Sequence, residues 1–357
     1  MTGTTTIIAT GEATPRPAEM VCNLEVMDIL AENGVEIPPK RRENYDKDFH
    51  GIKSRWLTPP CVSSYDLALE AGINAFRQAA NVDPDFSPSK VMAVHSGGSS
   101  PHSLYSGVSN KLQYSLFVPP CFAEARDDSL ACTSAVDALL LLDSRLRHLA
   151  VMEEIEEPIY GCVVIGEAIG TVSNQPDSTN YILWGCGGSA LVVKHDPRDG
   201  RKVGIRRSRN ISDGQFAHWF EAVGIGTDPR YLGVRPNATM GEKGMYGREV
   251  QEYIMDVIAP YCAEFVAKCG VDPASSTSHL CGHNPTYDGA KSFGIKAGFA
   301  YERIHSVADD RANTSSTSPF LNYHTARTLG LIKRGDNVFL VGYGAGPSAA
   351  FLYYIEP

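Results

Sequence analysis

No Cys-x-x-Cys pair occurs in this 357-residue chain, which excludes zinc ribbons and thioredoxin-like redox motifs. The nine cysteines are an odd number and lie scattered, at Cys22, Cys61, Cys121, Cys132, Cys162, Cys186, Cys262, Cys269 and Cys281. No run approaches the roughly 18 apolar residues of a membrane span. The first residues carry neither a basic region nor a long apolar stretch, so the expected setting is a reducing cytoplasm with free thiols. Positive charge is scarce as well. Thirty-two Lys and Arg against 41 Asp and Glu leave a formal charge of −9, a poor basis for nucleic-acid binding, which rests on phosphate neutralisation. A local basic pocket for a phosphate-bearing ligand stays open. With 43% apolar and 20% charged residues the chain is not of disordered type. Its length suits one large α/β domain or two ordinary ones, large enough to fold without metal or disulfide staples.

Short apolar strands alternate with longer helical patterns. Strands are expected at Thr6–Gly11, Val91–His95, Cys162–Gly166, Ser189–Val193, Thr277–Cys281, Asn337–Val341 and Ala349–Tyr354. Amphipathic or apolar helices are expected at Tyr65–Ala80, Ser134–Ala150 and Arg248–Lys268. Residues 195–245 read as turns and loops. Such alternation implies an α/β protein with largely parallel pairing.

Two stretches repeat in the same order. Cys162-Val-Val-Ile-Gly-Glu-Ala-Ile-Gly170 stands beside Val338-Phe-Leu-Val-Gly-Tyr-Gly-Ala-Gly346, and Gly188-Ser-Ala-Leu-Val-Val193 beside Pro347-Ser-Ala-Ala-Phe-Leu352. The pattern implies a duplicated α/β unit, with halves at 1–195 and 196–357 and an insertion at 171–185 in the first.

Cys132, in Asp128-Ser-Leu-Ala-Cys-Thr-Ser-Ala135, immediately precedes an apolar helix. Unpaired N–H groups and the macrodipole there favour a thiolate and are expected to lower its pKa. Small neighbours leave room for a substrate carbonyl. For the other eight cysteines a buried structural role is the better reading. His283, in Cys281-Gly-His-Asn-Pro-Thr286, follows a strand and can face a cleft or serve as a structural histidine. Asn313 lies in Arg311-Ala-Asn-Thr-Ser-Ser-Thr-Ser318, a polar loop or helix cap. Gly342-Tyr-Gly-Ala-Gly346 can offer backbone N–H groups, but its spacing only weakly echoes a dinucleotide fingerprint.

The order Cys, His, Asn and a terminal Gly loop resembles the condensing enzymes of the thiolase superfamily, in particular the beta-ketoacyl-ACP synthase III branch. Gly51-Ile-Lys-Ser-Arg55, Ala131-Cys-Thr-Ser-Ala135, Trp184-Gly-Cys-Gly-Gly-Ser-Ala190, Met245-Tyr-Gly-Arg-Glu-Val250, Gly282-His-Asn-Pro and Ala312-Asn-Thr-Ser-Ser carry the likeness, which runs nearly end to end. It implies a duplicated thiolase fold, a five-layer αβαβα sandwich, and a homodimer built on a strand pair beside the nucleophile. The apolar segment Leu116–Cys121, without an obvious partner within the chain, is the candidate surface. The resemblance also implies that Cys132 attacks an acyl thioester. The substrate would be carried on CoA or acyl carrier protein, with no permanently bound cofactor and no metal. The oxyanion would sit on the N–H groups of Cys132 and of the Gly344-Ala345-Gly346 loop. His283 and Asn313, both as donors, would hold the enolate of a malonyl-type extender.

Departures from the family pattern are expected to matter. Phe49 stands for an early Arg, Thr171 near a second, and Asp288 for a carrier-docking Arg. Tyr45 stands for an adenine-stacking Trp, Ala345 for a loop glycine and Cys186 for a turn Asp. These changes imply an unusual donor or acceptor, in specialised metabolism. The rival reading is an acyltransferase on the same scaffold that passes the acyl group to a hydroxyl or amine. Asn313 favours condensation; the missing carrier contacts favour a free small-molecule acceptor. A papain-like protease shares the residue order but lacks the surrounding motif. A non-catalytic partner subunit would be expected to lose the nucleophile.

Overall fold

A computed structural model describes residues 3–37, 39–43, 49–100, 106–119, 123–172, 182–219, 247–344 and 346–357. The strands in chain order are β1 Thr4–Glu12, β2 Met20–Cys22, β3 Ser54–Trp56, β4 Val91–Gly97, β5 Glu124–Asp128 and β6 Ile159–Glu167. They continue as β7 Gly187–Asp196, β8 Gly204–Ser212, β9 Ser278–Gly282, β10 Ile304–His305, β11 Asn337–Gly344 and β12 Ser348–Ile355. The helices that form the layers are α1 Asn23–Glu32, α2 Ser64–Val82, α3 Val108–Ser115, α4 Ser134–Met152, α5 Ala259–Lys268, α6 Tyr287–Lys296 and α7 Ser318–Thr328.

Two five-stranded sheets have the same plan, β1-β7-β6-β4-β5 and β8-β12-β11-β9-β10 when each is read from its antiparallel edge. In each sheet two neighbouring pairs are parallel and two antiparallel. This mixed pairing corrects the expectation of largely parallel strands. The cause is local: β6 and β11 each return directly into an antiparallel neighbour. The return spans three residues between β11 and β12 but nineteen between β6 and β7, of which 173–181 lie outside the described residues.

Packing sets the layers. Alternate residues of β6, such as Val163 and Ile165, face a core shared with Leu139, Leu142 and Leu146 of α4, Phe320 and Tyr323 of α7, and Leu340 and Leu352 of the second sheet. The other face of the first sheet packs on Ala68, Ala75 and Phe76 of α2 and Leu112 of α3. The outer face of the second packs on Phe265 of α5 and Phe293 of α6. The order helix, sheet, helix pair, sheet, helix is the five-layer αβαβα sandwich. The two buried sheets explain why their strands read as nearly continuous apolar runs.

Helix ends follow sequence chemistry. Ser63 accepts the Asp66 N–H while the Asp66 carboxylate reaches back to the Ser63 N–H, which starts α2 with a reciprocal cap. The helix expected over Arg248–Lys268 is broken by one wide turn at Ile254–Ile258 just before Pro260. Proline has no N–H to return to the preceding turn, which accounts for the widening.

Three expectations change. Gly204–Ser212 is a strand, not a loop. Its side chains from Arg206 to Asn210 are exposed, so it lacks the apolar alternation that announces a strand. The repeat written above pairs Cys162, on the outer face, with Val338, on the inner face. A shift by one residue in either direction restores agreement, because adjacent strand residues face opposite ways. Leu116 and Val118 do have partners within the chain, in the core under α2. In that segment Phe117 is 84% exposed, close to the equally exposed Tyr114, and Cys121 lies outside the described residues.

Candidate active site

Cys132 sits in a single tight turn, Ala131–Thr133, that leads straight into α4. Ala131 adopts a left-handed φ of +47°, which turns the chain from β5 into the helix. The Thr133 hydroxyl reaches the Ser348 hydroxyl at 2.9 Å and pins this turn to the start of β12. The end of β11 closes over it. A Cβ placed on Gly344 would stand 2.7 Å from the Cβ of Cys132 and 3.2 Å from its sulfur, so only glycine fits. Gly346 follows with φ +90°; Ala345 lies outside the described residues.

His283 leaves the end of β9. Its N–H bonds the Val341 carbonyl at 2.8 Å, and the Tyr343 hydroxyl donates to its carbonyl at 3.0 Å. The Tyr343 ring stands edge-on to the imidazole at 5.3 Å. The neighbouring loop is held by two fully buried amides: Asn322 of α7 donates to the Gly282 carbonyl and exchanges bonds with Asn284. Asn313 is fixed through its backbone. Its N–H bonds the Leu183 carbonyl and its carbonyl accepts from Gly185, so the Trp184-Gly-Cys segment acts as a splint for it.

Ser315 is the meeting point, and nothing in the sequence singled it out from its serine neighbours. Its carbonyl accepts from the Nδ1 of His283 at 3.0 Å. Its N–H donates to the Asn313 side-chain oxygen at 2.9 Å. Its hydroxyl lies 3.4 Å from the Cys132 sulfur and 2.6 Å from the Ser99 hydroxyl. Cys132, His283 and Asn313 are each 4–6% exposed and Ser315 fully buried. Cys132, His283, Asn313 and Gly344 are thereby brought to one place.

These contacts fix the chemistry of the side chains. The Asn313 oxygen is committed to a backbone donor, so its NH₂ is the group left for a ligand. A carbonyl can only accept, so the Nδ1 of His283 carries the hydrogen and the neutral ring keeps its lone pair on Nε2. In this neutral tautomer Nε2 has no hydrogen to give, contrary to the expectation that neutral His283 donates to a ligand; it becomes a donor there only when protonated. Burial lowers its pKa to about 4, against the opposing pull of the Ser315 carbonyl. The expected depressed thiol is reversed as well. Burial raises Cys132 to about 11, and the nearby Glu167 charge adds to it. The Ser315 and Ser99 hydroxyls act the other way. At neutral pH the resting pair is thiol and imidazole, not an ion pair.

The expected departures have physical settings. Arg55 is fully buried, with its guanidinium 5.0 Å above the Phe49 ring and one nitrogen on the Asn23 oxygen. Asp288 is exposed in the first turn of α6, where a negative charge suits the helix N-terminus. Cys186 is buried and accepts from the Thr58 hydroxyl at 3.5 Å. Tyr45, Met245, Tyr246 and the side chain of Thr171 lie outside the described residues; Gly247–Val250 open a helix. No disulfide joins any of the eight described cysteines. Among the described residues no cluster of three or more His, Cys, Asp or Glu side chains is placed to hold a metal. No described helix is long and apolar enough to cross a membrane.

Residues 267–354 match the sequence model described as 3-oxoacyl-(acyl-carrier-protein) synthase III C terminal. The chain is 27% identical over 296 residues to a beta-ketoacyl-(acyl-carrier-protein) synthase III from Erythrobacter litoralis, covering 83% of this chain and 85% of that one. The crystal structure of 3-oxoacyl-(acyl carrier protein) synthase III from Pseudomonas aeruginosa superposes with a TM-score of 0.80 at 20% identity, covering 99% of this chain and 98% of that one. The priming beta-ketosynthase of the R1128 polyketide pathway superposes at 0.79 with 20% identity, covering 100% and 97%. Together with the two matching sheets and the helix pair between them, these likenesses show the five-layer αβαβα fold of the synthase III structures and a sequence similar to beta-ketoacyl-(acyl-carrier-protein) synthase III.

Proposed function

We propose that the protein is an acyltransferase of the condensing type, which loads an acyl group on Cys132 and joins it to a malonyl-type thioester. The thiol hydrogen passes to Nε2 of His283 as the sulfur attacks the thioester carbonyl of an acyl-CoA or acyl-carrier substrate. The tetrahedral oxyanion lies against backbone N–H groups of Cys132 and the Gly344–Gly346 loop. The intermediate collapses by breaking the bond to the leaving thiolate, which takes the proton back from His283. In the second half the extender loses CO₂, and the electron pair of the broken C–C bond becomes an enolate. Its carbon attacks the acyl-cysteine, and the released Cys132 thiolate takes a proton from solvent. Asn313 supplies the fixed donor for the enolate oxygen; His283, neutral again once its proton has gone to the leaving thiolate, offers no hydrogen at Nε2.

The observation that carries this reading is the Asn313 amide, oriented by the Ser315 N–H so that its NH₂ is the group on offer. An enolate needs a donor; a carboxylate at 313 could not provide one. The neutral His283 lone pair favours a second reading. A base at Nε2 suits removal of a proton from a hydroxyl or amine acceptor, which would then take the acyl group without loss of CO₂. The altered carrier contacts support an unusual donor or acceptor in specialised metabolism. The exposed Tyr114 and Phe117 near the edge strand β5 support a homodimer through that edge.

Acyl-enzyme mass and labelled CO₂ from malonyl donors, followed in parallel, separate the readings. Asn313→Ala is expected to acylate at near-normal rate and to lose CO₂ release by on the order of 100-fold or more, roughly 3 kcal/mol. Acyl transfer by wild type to a hydroxyl or amine, with no CO₂ released, would replace condensation by the second reading.

A further inference from the structure

Glu167 is a fully buried carboxylate that the reaction above does not use. It ends β6, whose other residues are all buried as well. Five donors converge on it. The Ser99 N–H at 2.8 Å, the Ser316 hydroxyl at 2.5 Å and the Ser316 N–H at 3.4 Å reach one oxygen. The Ser100 N–H at 3.0 Å and hydroxyl at 2.6 Å reach the other. The backbone is shaped to receive it: Gly98 has φ +145°, and a Cβ there would stand 2.9 Å from a Glu167 oxygen.

The donors come from both halves of the molecule. Ser99 and Ser100 follow β4 of the first sheet, and Ser316 belongs to the turn before α7 in the second. The residue next to Ser316 is Ser315, which touches Cys132, His283 and Asn313 at once. Ser99 also meets the Ser315 hydroxyl directly. The carboxylate therefore grips the Ser315 turn from one side through Ser316, and from the other through Ser99.

We infer that Glu167 is a positioning residue: its ionised carboxylate holds the Asn313–Ser316 turn against the Ser99–Ser100 loop, and so sets the register of Cys132, His283 and Asn313. Acceptor capacity is what the position requires. Three of its five donors are backbone N–H groups, which cannot reverse, and an ionised carboxylate meets all five. Glutamine has nearly the same shape, but in either orientation its NH₂ would face at least one of those N–H groups. Burial raises the Glu167 pKa, and the Ser100 and Ser316 hydroxyls and the Ser99 and Ser316 N–H groups oppose it. The negative charge in turn disfavours the Cys132 thiolate, so Glu167 contributes geometry at some cost in thiol reactivity.

That opposition supplies the test, which rests on Cys132 as nucleophile. Self-acylation and iodoacetamide alkylation of Cys132 are measured in wild type, Glu167→Gln, Glu167→Asp and Ser316→Ala, with thermal melting of each. Glu167→Gln is expected to acylate about 100-fold more slowly at saturating donor, the loss that a misplacement near 1 Å brings. Its KM should stay within about 3-fold, because the substrate-binding surface is not altered. Alkylation at pH 8 should hold or rise, because it needs only the thiolate and a repelling charge is gone. Glu167→Asp keeps both oxygens and should recover part of the rate. Ser316→Ala removes one donor, keeps the charge, and should slow acylation by about 3- to 10-fold with alkylation unchanged; it decides the matter if Glu167→Gln does not fold. Wild-type acylation in Glu167→Gln or in Ser316→Ala, or a parallel fall of acylation and alkylation, would overturn the inference. Absence of any acyl group on wild-type Cys132 would instead overturn the function proposed above.

Discussion

Two turns of this molecule are nearly the same object put to different uses. Leu130-Ala-Cys-Thr-Ser134 leads into α4, and Thr314-Ser-Ser-Thr-Ser318 leads into α7. Each is one short helical turn opened by a left-handed residue, Ala131 at φ +47° and Ser315 at φ +50°. Each feeds a helix of the central layer. The middle residue is Cys132 in one and Ser316 in the other. What differs is the strand end that meets it from the other half. Gly344 at the end of β11 leaves a space beside the Cys132 sulfur, whereas Glu167 at the end of β6 fills the matching place and bonds Ser316. The two halves thus carry equivalent sockets; one has a glycine beside Cys132, the nucleophile proposed above, and the other is closed by a buried carboxylate.

Making the two turns alike should have the largest effect. Cys132→Ser reproduces the second turn in the first. It is expected to fold normally and to lose acylation by on the order of 1000-fold or more, since a buried hydroxyl is a far weaker nucleophile than a thiol. Intact-protein mass after incubation with acyl thioesters reads the result. Closing the open socket should come next. Gly344→Ala puts a methyl 2.7 Å from the Cys132 Cβ. It should slow acylation by on the order of 100-fold, and lower stability by about 1–3 kcal/mol in denaturant titration through overpacking.

The electrostatics of the open socket can be tested through pH. With the free thiol near 11, alkylation of Cys132 by iodoacetamide should be slow at pH 7 and rise about tenfold per pH unit below that value. With His283 at about 4, the base is available throughout pH 5–8, and acylation should fail only as pH drops through about 4. Stability follows the same group. The unfolded imidazole takes a proton near its ordinary value of about 6.5 and the folded one does not. Below that value the unfolded state binds more protons, so this contribution to stability falls as pH decreases from about 6.5 to about 4. A plateau of fast alkylation from pH 6 upward would show a thiolate–imidazolium pair and contradict the neutral one. The smallest effect should come from Ala312, which is buried at φ +56° and ψ −153° in a region open essentially to glycine. Ala312→Gly relieves that strain and should raise stability by about 1 kcal/mol.

Much of the closed frame is legible in the residues, and much of the open site is not. The central strands announce themselves because both their faces are buried, and α2 and α4 through their apolar spacing. The repeat is visible too; its second stretch keeps the faces in register, whereas its first is one residue out, because the strings align on glycines while the faces are set by packing. Strands β5 and β8 lie at sheet edges with exposed side chains, so no hydrophobic pattern marks them. Cys132 is found from its small neighbours and the helix after it. Its protonation is not, because burial outweighs the helix end and burial is a tertiary property. His283 is found by position, but its tautomer depends on a carbonyl 32 residues away. Glu167 had a signal that went unused: a lone carboxylate continuing a wholly apolar strand, with serines clustered at 96–100 and 315–318.

The central claim is that chemistry runs through the open socket alone. Its most direct measurement is a peptide map of wild-type enzyme trapped with an acyl-CoA or acyl-carrier donor. One acyl group per chain, on the peptide that contains Cys132 and removed by hydroxylamine as a thioester, is the predicted result. A stable adduct on any of the other eight cysteines, with Cys132 unmodified, would contradict it.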